Sequence, residues 1–443
     1  MTPARGSIRE PAFEGATAEG GSVALREGAA ARSPLEELLA KGRLRATLAM
    51  LGPAFVASIA YVDPGNFATN FQGGAKFGFM LLWVVVLANV MAMLVQYLSA
   101  KLGVVTGRNL PESFRAHYPR WMSRGMWVQA ELISMSTDVA EFLGAALALN
   151  LLFHVPLIIA GVMTGFIAFG ILELRVHGYR RFEIAISALL GLIFLGFIYE
   201  TFKIGPSASG VSGGLVPHVA GTESLYLAVG IIGATVMPHA IYLHSALTQD
   251  RMPVRDDRER GRVLRFERAD VIIALGLAGL INVSMLAVAA QLFHGTGHTG
   301  VDTIQGAHAG LANLVGGGAA LAFAIALLAS GASSSSVGTY AGQVVMAGFI
   351  DLRISLYVRR IVTMIPALAV LAVGMNPTSA LVLSQVVLSF GIPLALIPLV
   401  ILTGRREVMG VHVNRPLTTV LAWGCAVLIT GLNLFLVYQQ FFG

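Results

Sequence analysis

Charge and cysteine are what this chain has least of. Only 12% of its 443 residues are Asp, Glu, Lys or Arg, about half the share of an ordinary soluble domain, and a soluble fold is excluded on that ground. The single cysteine, Cys425, rules out an internal disulfide. No paired nucleophile and base, phosphate-cradling loop or zinc spacing occurs, so nothing points to an enzyme.

What is present is hydrocarbon. Hydrophobic residues make up 56% of the chain and the mean hydropathy is +0.74, which defines an all-α polytopic membrane protein. Eleven transmembrane helices are expected, centred near residues 60, 92, 137, 165, 193, 237, 281, 331, 366, 390 and 429. Residues 1–44 mix Gly, Ala, Ser, Glu and Arg without a long apolar run and read as a disordered cytoplasmic tail. The basic residues fix an orientation. With the N-terminus in the cytoplasm, all but Lys76 and Lys203 fall on or near that side, including Lys41, Arg43, Arg45 and the run Arg251 to Arg268. The odd number of spans then places the C-terminus outside. The net charge of +6 describes loops beside anionic lipid, and nucleic acid need not be invoked.

Two spans are interrupted. In the first, Asp63, Pro64, Gly65 and Asn66 break an apolar run. Pro64 has no N–H for the carbonyl of Ala60, and Asp63 and Asn66 add a carboxylate and an amide oxygen. In the sixth, Ala234 to His239 repeat the logic, because Pro238 frees the carbonyl of Ala234 beside Met237 and His239. Irregular backbone at membrane depth survives only where protein buries it or a polar cavity needs it. Paired breaks in two halves of a chain point to a transporter's binding site.

Other polar residues in the spans carry less. Glu131, Asp138 and Glu141 lie on one stripe of the third span. Such acids mark ion or proton routes, with pairing to a buried arginine as the rival reading. Arg359 and Arg360 open the ninth span, and Ser384 and Gln385 lie in the tenth. Glu200 reads as an interfacial charge, and the second span as apolar scaffold. The stretch carrying His294, His298 and His308 reads as a flexible outer loop, with a metal trap as the alternative. Asn282 forms a glycosylation sequon that an apolar helix makes meaningless.

Asp63-Pro64-Gly65-Asn66, Met237-Pro238-His239, and Thr137-Asp138 with Glu141 resemble the Nramp (natural resistance-associated macrophage protein) family of divalent metal transporters, over about residues 45–441. The resemblance implies a LeuT-like inverted repeat of 5+5 helices with broken helices 1 and 6. Repeat one would cover about 45–205, repeat two about 222–404, and an extra helix about 416–441. It implies proton-coupled import of Mn²⁺ or Fe²⁺, and also Cd²⁺ or Co²⁺, across the plasma (inner) membrane by alternating access, with no permanent cofactor. Its metal site would be Asp63, Asn66, Met237 and the carbonyls of Ala60 and Ala234, joined in some states by Gln385. A proton route would involve Asp63, Asp138, Glu141 and Arg360, with His239, Glu131 and Arg359 as further candidates. The substrates would be a divalent ion and a proton, the surroundings the lipid bilayer, and the simplest working unit a monomer.

The residue chemistry agrees with that expectation. Carboxylate, amide and carbonyl oxygens suit hard divalent ions, and a thioether adds a softer contact that Mg²⁺ and Ca²⁺ do not reward. Packing is the rival role for Met237. A sodium-coupled amino-acid symporter could share the architecture, yet Asp63 would repel a substrate carboxylate. A cation channel would want repeated oxygen rings.

Overall fold

A computed structural model describes residues 33–40, 42, 49–176, 179–249, 251–296 and 302–442. Every regular element among them is helical. The first span is Pro53–Ser58, a 3₁₀ turn Ile59–Val62 and then Pro64–Phe77. The second to fifth are Leu82–Thr106, Arg120–Phe153, Leu157–Val176 and Tyr179–Ile204. The sixth is split into Gly221–Thr235 and Pro238–Thr248. Asp257–Phe293, Gly317–Ile350, Leu356–Val373, Pro377–Gly404 and Pro416–Phe442 complete the eleven.

These helices are apolar on nearly every side, so burial depends on position in the bundle. The most apolar window of the sixth span is 94% buried and that of the eleventh only 28%. The sixth is therefore central and the eleventh faces lipid. It packs against the second and tenth spans, while the seventh packs along the first and second. The third and eighth form the tightest pair, through small residues: a Cβ on Gly331 would fall 2.7 Å from the Ala145 nitrogen. At Gly144 a Cβ would stand 2.0 Å from that of Pro64, which brings the third span against the first break.

Several connections differ from the expectation. Within the stretch read as tail, Pro34–Ala40 is a short helix. Ser33 and Glu36 cap it reciprocally at 3.1 Å, and Leu35 is buried beside Met50 and Val263. Residues 1–32, Lys41, Arg43 and Arg45 lie outside the described residues. Most of the arginine-rich stretch after Arg251 is the opening of the seventh helix, which Asp256 starts by accepting from the Glu259 amide at 2.7 Å. The outer stretch before the eighth span is not wholly a loop: Ile304–Leu314 is a helix, capped by Thr303. His298 is outside the described residues, and His294 and His308 form no metal-binding group with other residues among those described. Glu200 is fully buried, because the seventh and eighth spans pack on the fifth, so it is not an interfacial charge.

Candidate binding site at the two helix breaks

The first break is a turn that caps its own second half. Asp63 is extended at φ −75°, ψ 170°, and its Oδ1 accepts from the Asn66 backbone at 2.8 Å. Proline at the next position has no amide to satisfy, which suits the first turn of a helix. Upstream, Ile59–Val62 tightens to 3₁₀, and the carbonyls left over find side chains of other spans. Asn282 donates to the Tyr61 carbonyl at 2.7 Å and Ser330 to that of Val62 at 2.5 Å. Asn282, meaningless as a sequon, is thus a clamp on the break, itself held by Asn70 at 2.8 Å. Gln96 of the second span, read as scaffold, bonds the Tyr61 hydroxyl and meets His244 Nδ1 at 2.8 Å.

The second break faces the first. Val236 and Met237 leave helical geometry, at φ −103°, ψ 69° and φ −73°, ψ 124°. The carbonyl of Ala234 accepts from Asn66 Nδ2 at 3.0 Å, and the same amide nitrogen lies 2.9 Å from Asp63 Oδ1. Thr235 Oγ1 approaches Asn66 Oδ1 at 3.4 Å. Gln385 reaches both breaks. A Cβ on Gly65 would fall 1.9 Å from its Nε2, and one on Gly233 2.0 Å from its backbone carbonyl. Glycine at 65 and 233 is what lets the tenth span come this close.

Asp63, Asn66, Met237, Ala60, Ala234 and Gln385 are all completely buried. Two of their oxygens, Asp63 Oδ2 and Gln385 Oε1, have no hydrogen-bond partner among the described residues. Buried polar atoms normally find partners, so these unpaired oxygens suit a cation. Elsewhere a cleft of about 600 Å³ is lined in part by Met50, Glu183, Ala246, Arg251 and Tyr340. Its lining includes none of the six residues. The start of the first span is pinned there: Asp270 accepts from the amides of Gly52 and Ala54 at 3.3 and 2.9 Å, and Arg251 joins Glu183 at 2.5 Å.

The acidic stripe continues from the breaks toward the arginines. Arg360 Nη1 is 3.6 Å from Asp138 Oδ1, and Arg359 Nη2 is 2.7 Å from Glu131 Oε1. Glu141 is buried, and a Cβ on Gly338 would sit 2.7 Å from its Oε2 and 3.4 Å from Asp138 Oδ1. His239 is buried, its Nδ1 3.4 Å from Thr137 Oγ1. The arginine pairing weighed from the sequence is therefore present. It fixes where the charges stand.

Among the described residues, eleven apolar spans, two of them broken where they meet at a buried polar point, define a membrane transporter of the broken-helix type. Residues 54–439 match the model of the family described as natural resistance-associated macrophage protein-like, and the chain belongs to the Nramp family. It is 51% identical over 396 residues to the divalent metal cation transporter MntH of Deinococcus radiodurans, covering 89% of this chain and 91% of that protein. For the MntH of Bacillus subtilis the identity is 52% over 398 residues, covering 90% and 93%. The manganese transporter of Eremococcus coleocola superposes with a TM-score of 0.82 at 33% identity, over 90% of this chain and 88% of that one. Mhp1, a nucleobase-cation-symport-1 transporter, shares the fold at a TM-score of 0.58 and 14% identity.

Proposed function

We propose that this protein imports a divalent transition-metal ion, Mn²⁺ or Fe²⁺, with Cd²⁺ and Co²⁺ also accepted, together with protons, by alternating access. The convergence of Asp63, Asn66 and the Ala234 carbonyl at one buried point carries this reading. Fixed oxygens from two spans can replace part of an ion's hydration shell, and the Met237 sulfur adds the contact that favours a transition metal over Ca²⁺ or Mg²⁺. The Ala60 carbonyl and Gln385 complete the donor set.

The ion's arrival changes the hydrogen bonding. Asn66 presently offers its nitrogen to Asp63 and Ala234, and to ligate a cation it must turn its oxygen inward. Positive charge beside Asp63 favours its ionised form, so a proton there is released as the metal binds. Asp138, Glu141 and the Arg360 guanidinium give that proton a polar path, with His239, Glu131 and Arg359 beside it. Burial of all six metal-site residues, with a cleft on one face, suits a state between the two open ones.

Supporting readings follow the same family. Spans one to five and six to ten form two inverted repeats, of about residues 45–205 and 222–404, with an extra helix at about 416–441. The arginine-rich face is cytoplasmic and the C-terminus lies outside the inner membrane. The protein works as a monomer and holds no permanent cofactor. The deciding experiment is metal uptake into proteoliposomes with and without an imposed pH gradient. Mn²⁺ accumulation driven by an inward proton gradient is expected, and uptake indifferent to that gradient would remove proton coupling.

A further inference from the structure

A second polar concentration lies away from the breaks. On the arginine-rich face, the ends of the second and seventh spans and the approach to the eleventh enclose a cavity of about 510 Å³, lined in part by Tyr97, Lys101, Arg265, Arg268, His412 and Arg415. That volume is in the range of small-molecule sites, roughly 300–1,000 Å³.

Among the described residues, its charge is not balanced locally. Lys101 is only 7% exposed, and its ammonium donates to Asn414 Oδ1, a neutral acceptor, at 2.9 Å. Arg268 lies over the Tyr97 ring, 5.0 Å from its centroid, and donates to the hydroxyl at 3.2 Å, again a neutral partner. Asp257, the acid near the rim, is already engaged by Arg260 at 2.5 Å and stands 3.7 Å from His412 Nε2. Burial pushes His412 below its ordinary range; Asp257 opposes that shift, and Arg260 and Lys101 reinforce it. A buried ammonium among guanidiniums is unfavourable without a counter-anion, and oxyanions held by Arg and Lys make the strongest hydrogen bonds available.

The surroundings say what kind of anion fits. Below the cationic end the same helices turn apolar and outward. On the second span Val90, two turns before Tyr97 and on the same stripe as Tyr97 and Lys101, is 57% exposed. Ile272, one turn from Arg268, is 53% exposed, and Leu417 and Leu421 of the eleventh are 70% and 52% exposed. A free phosphate would use only the cationic half.

We propose that this pocket binds the phosphate of an anionic phospholipid head group, with the acyl chains lying along the exposed apolar faces of the second, seventh and eleventh spans. Basic pockets between transmembrane helices take such head groups. A diffuse excess of loop arginines would attract anionic lipid without a fixed position. Here Asn414 holds Lys101, and Tyr97 holds Arg268, before any lipid arrives. An occupied pocket ties the segment between the tenth and eleventh spans to the second and seventh.

The test uses the full chain in neutral detergent, titrated with a short-chain phosphatidylglycerol, the phosphatidylcholine of equal chain length, or inorganic phosphate. Thermal stability and bound lipid by native mass spectrometry are the readouts. Phosphatidylglycerol should raise the melting temperature and be retained, and the other two should do neither at equal concentration. Arg265→Gln with Arg415→Gln, both exposed positions, should melt like the parent without lipid and bind phosphatidylglycerol roughly tenfold more weakly. Arg415→Gln alone, with a smaller loss, serves if the double variant does not purify. An equal response to phosphatidylcholine, or unchanged phosphatidylglycerol binding in the variants, overturns the proposal. A matching effect of inorganic phosphate overturns the lipid assignment and leaves a soluble-anion site.

Discussion

Asn66 donates to the main-chain carbonyl of Ala234 over 3.0 Å, joining residues 168 positions apart. Through that bond two proline-made breaks share one buried point. An amide can face a carbonyl with its nitrogen or a cation with its oxygen, so in the proposed function the same residue could both join the breaks and line a cation site.

Asp63 is the acid at that point, and one of its oxygens has no partner among the described residues. Asp63→Asn keeps the side-chain oxygen that caps the following helix and removes the charge. The variant should purify as a folded protein and lose metal uptake. Mn²⁺ transport at the parental rate would remove Asp63 from the site.

Asp138 stands 3.6 Å from Arg360, and Glu141 lies beside Asp138 near Gly338. Asp138→Asn and Glu141→Gln should therefore disturb proton movement more than metal binding. Proton flux by an entrapped pH dye, read beside metal binding by calorimetry, checks this. Parental proton flux in both variants would reduce the two acids to partners of arginine.

In the proposed metal site, Met237 would supply the one donor that hard ions should not favour. Met237→Ala leaves Pro238 and the oxygens in place. If the sulfur discriminates by about 1 to 2 kcal/mol, the preference for Mn²⁺ or Cd²⁺ over Ca²⁺ should fall roughly five- to thirtyfold. Cd²⁺ should suffer most. Competition of Ca²⁺ against Mn²⁺ uptake, under one pH gradient and one membrane potential, measures it. Equal competition would make Met237 a packing residue.

Gly65 and Gly233 both touch Gln385 and should respond differently to a methyl group. At Gly233 the obstacle is the Gln385 backbone carbonyl, 2.0 Å away. Gly233→Ala must therefore shift the tenth span, and a cost of about 1 to 3 kcal/mol is expected, read as a lower unfolding temperature. At Gly65 the obstacle is the end of the Gln385 side chain, 1.9 Å away. Gly65→Ala should displace that amide and lower transport with a smaller stability loss. The reverse order would contradict this packing of the tenth span on the two glycines.

The sequence by itself determined the class, the spans and the two breaks, because a proline without an N–H and a shortage of charge are local facts. Asp63, Asn66, Met237 and Ala234 were legible for the same reason: each lies within four residues of a break. Rotation of each span about its axis was decided only by the tertiary structure. Helices that are apolar all round give little amphipathic signal to say which residue faces inward. Glu200 therefore reads as interfacial and is buried, Gln96 reads as scaffold and holds Tyr61 and His244, and Asn282 reads as a void motif and holds the Tyr61 carbonyl. The approach of Gln385 to Gly65 and Gly233, and the pairing of Arg359 and Arg360 with the third span, likewise join residues far apart in sequence. The packing of small residues between spans set those distances, and no local pattern in the chain encodes them.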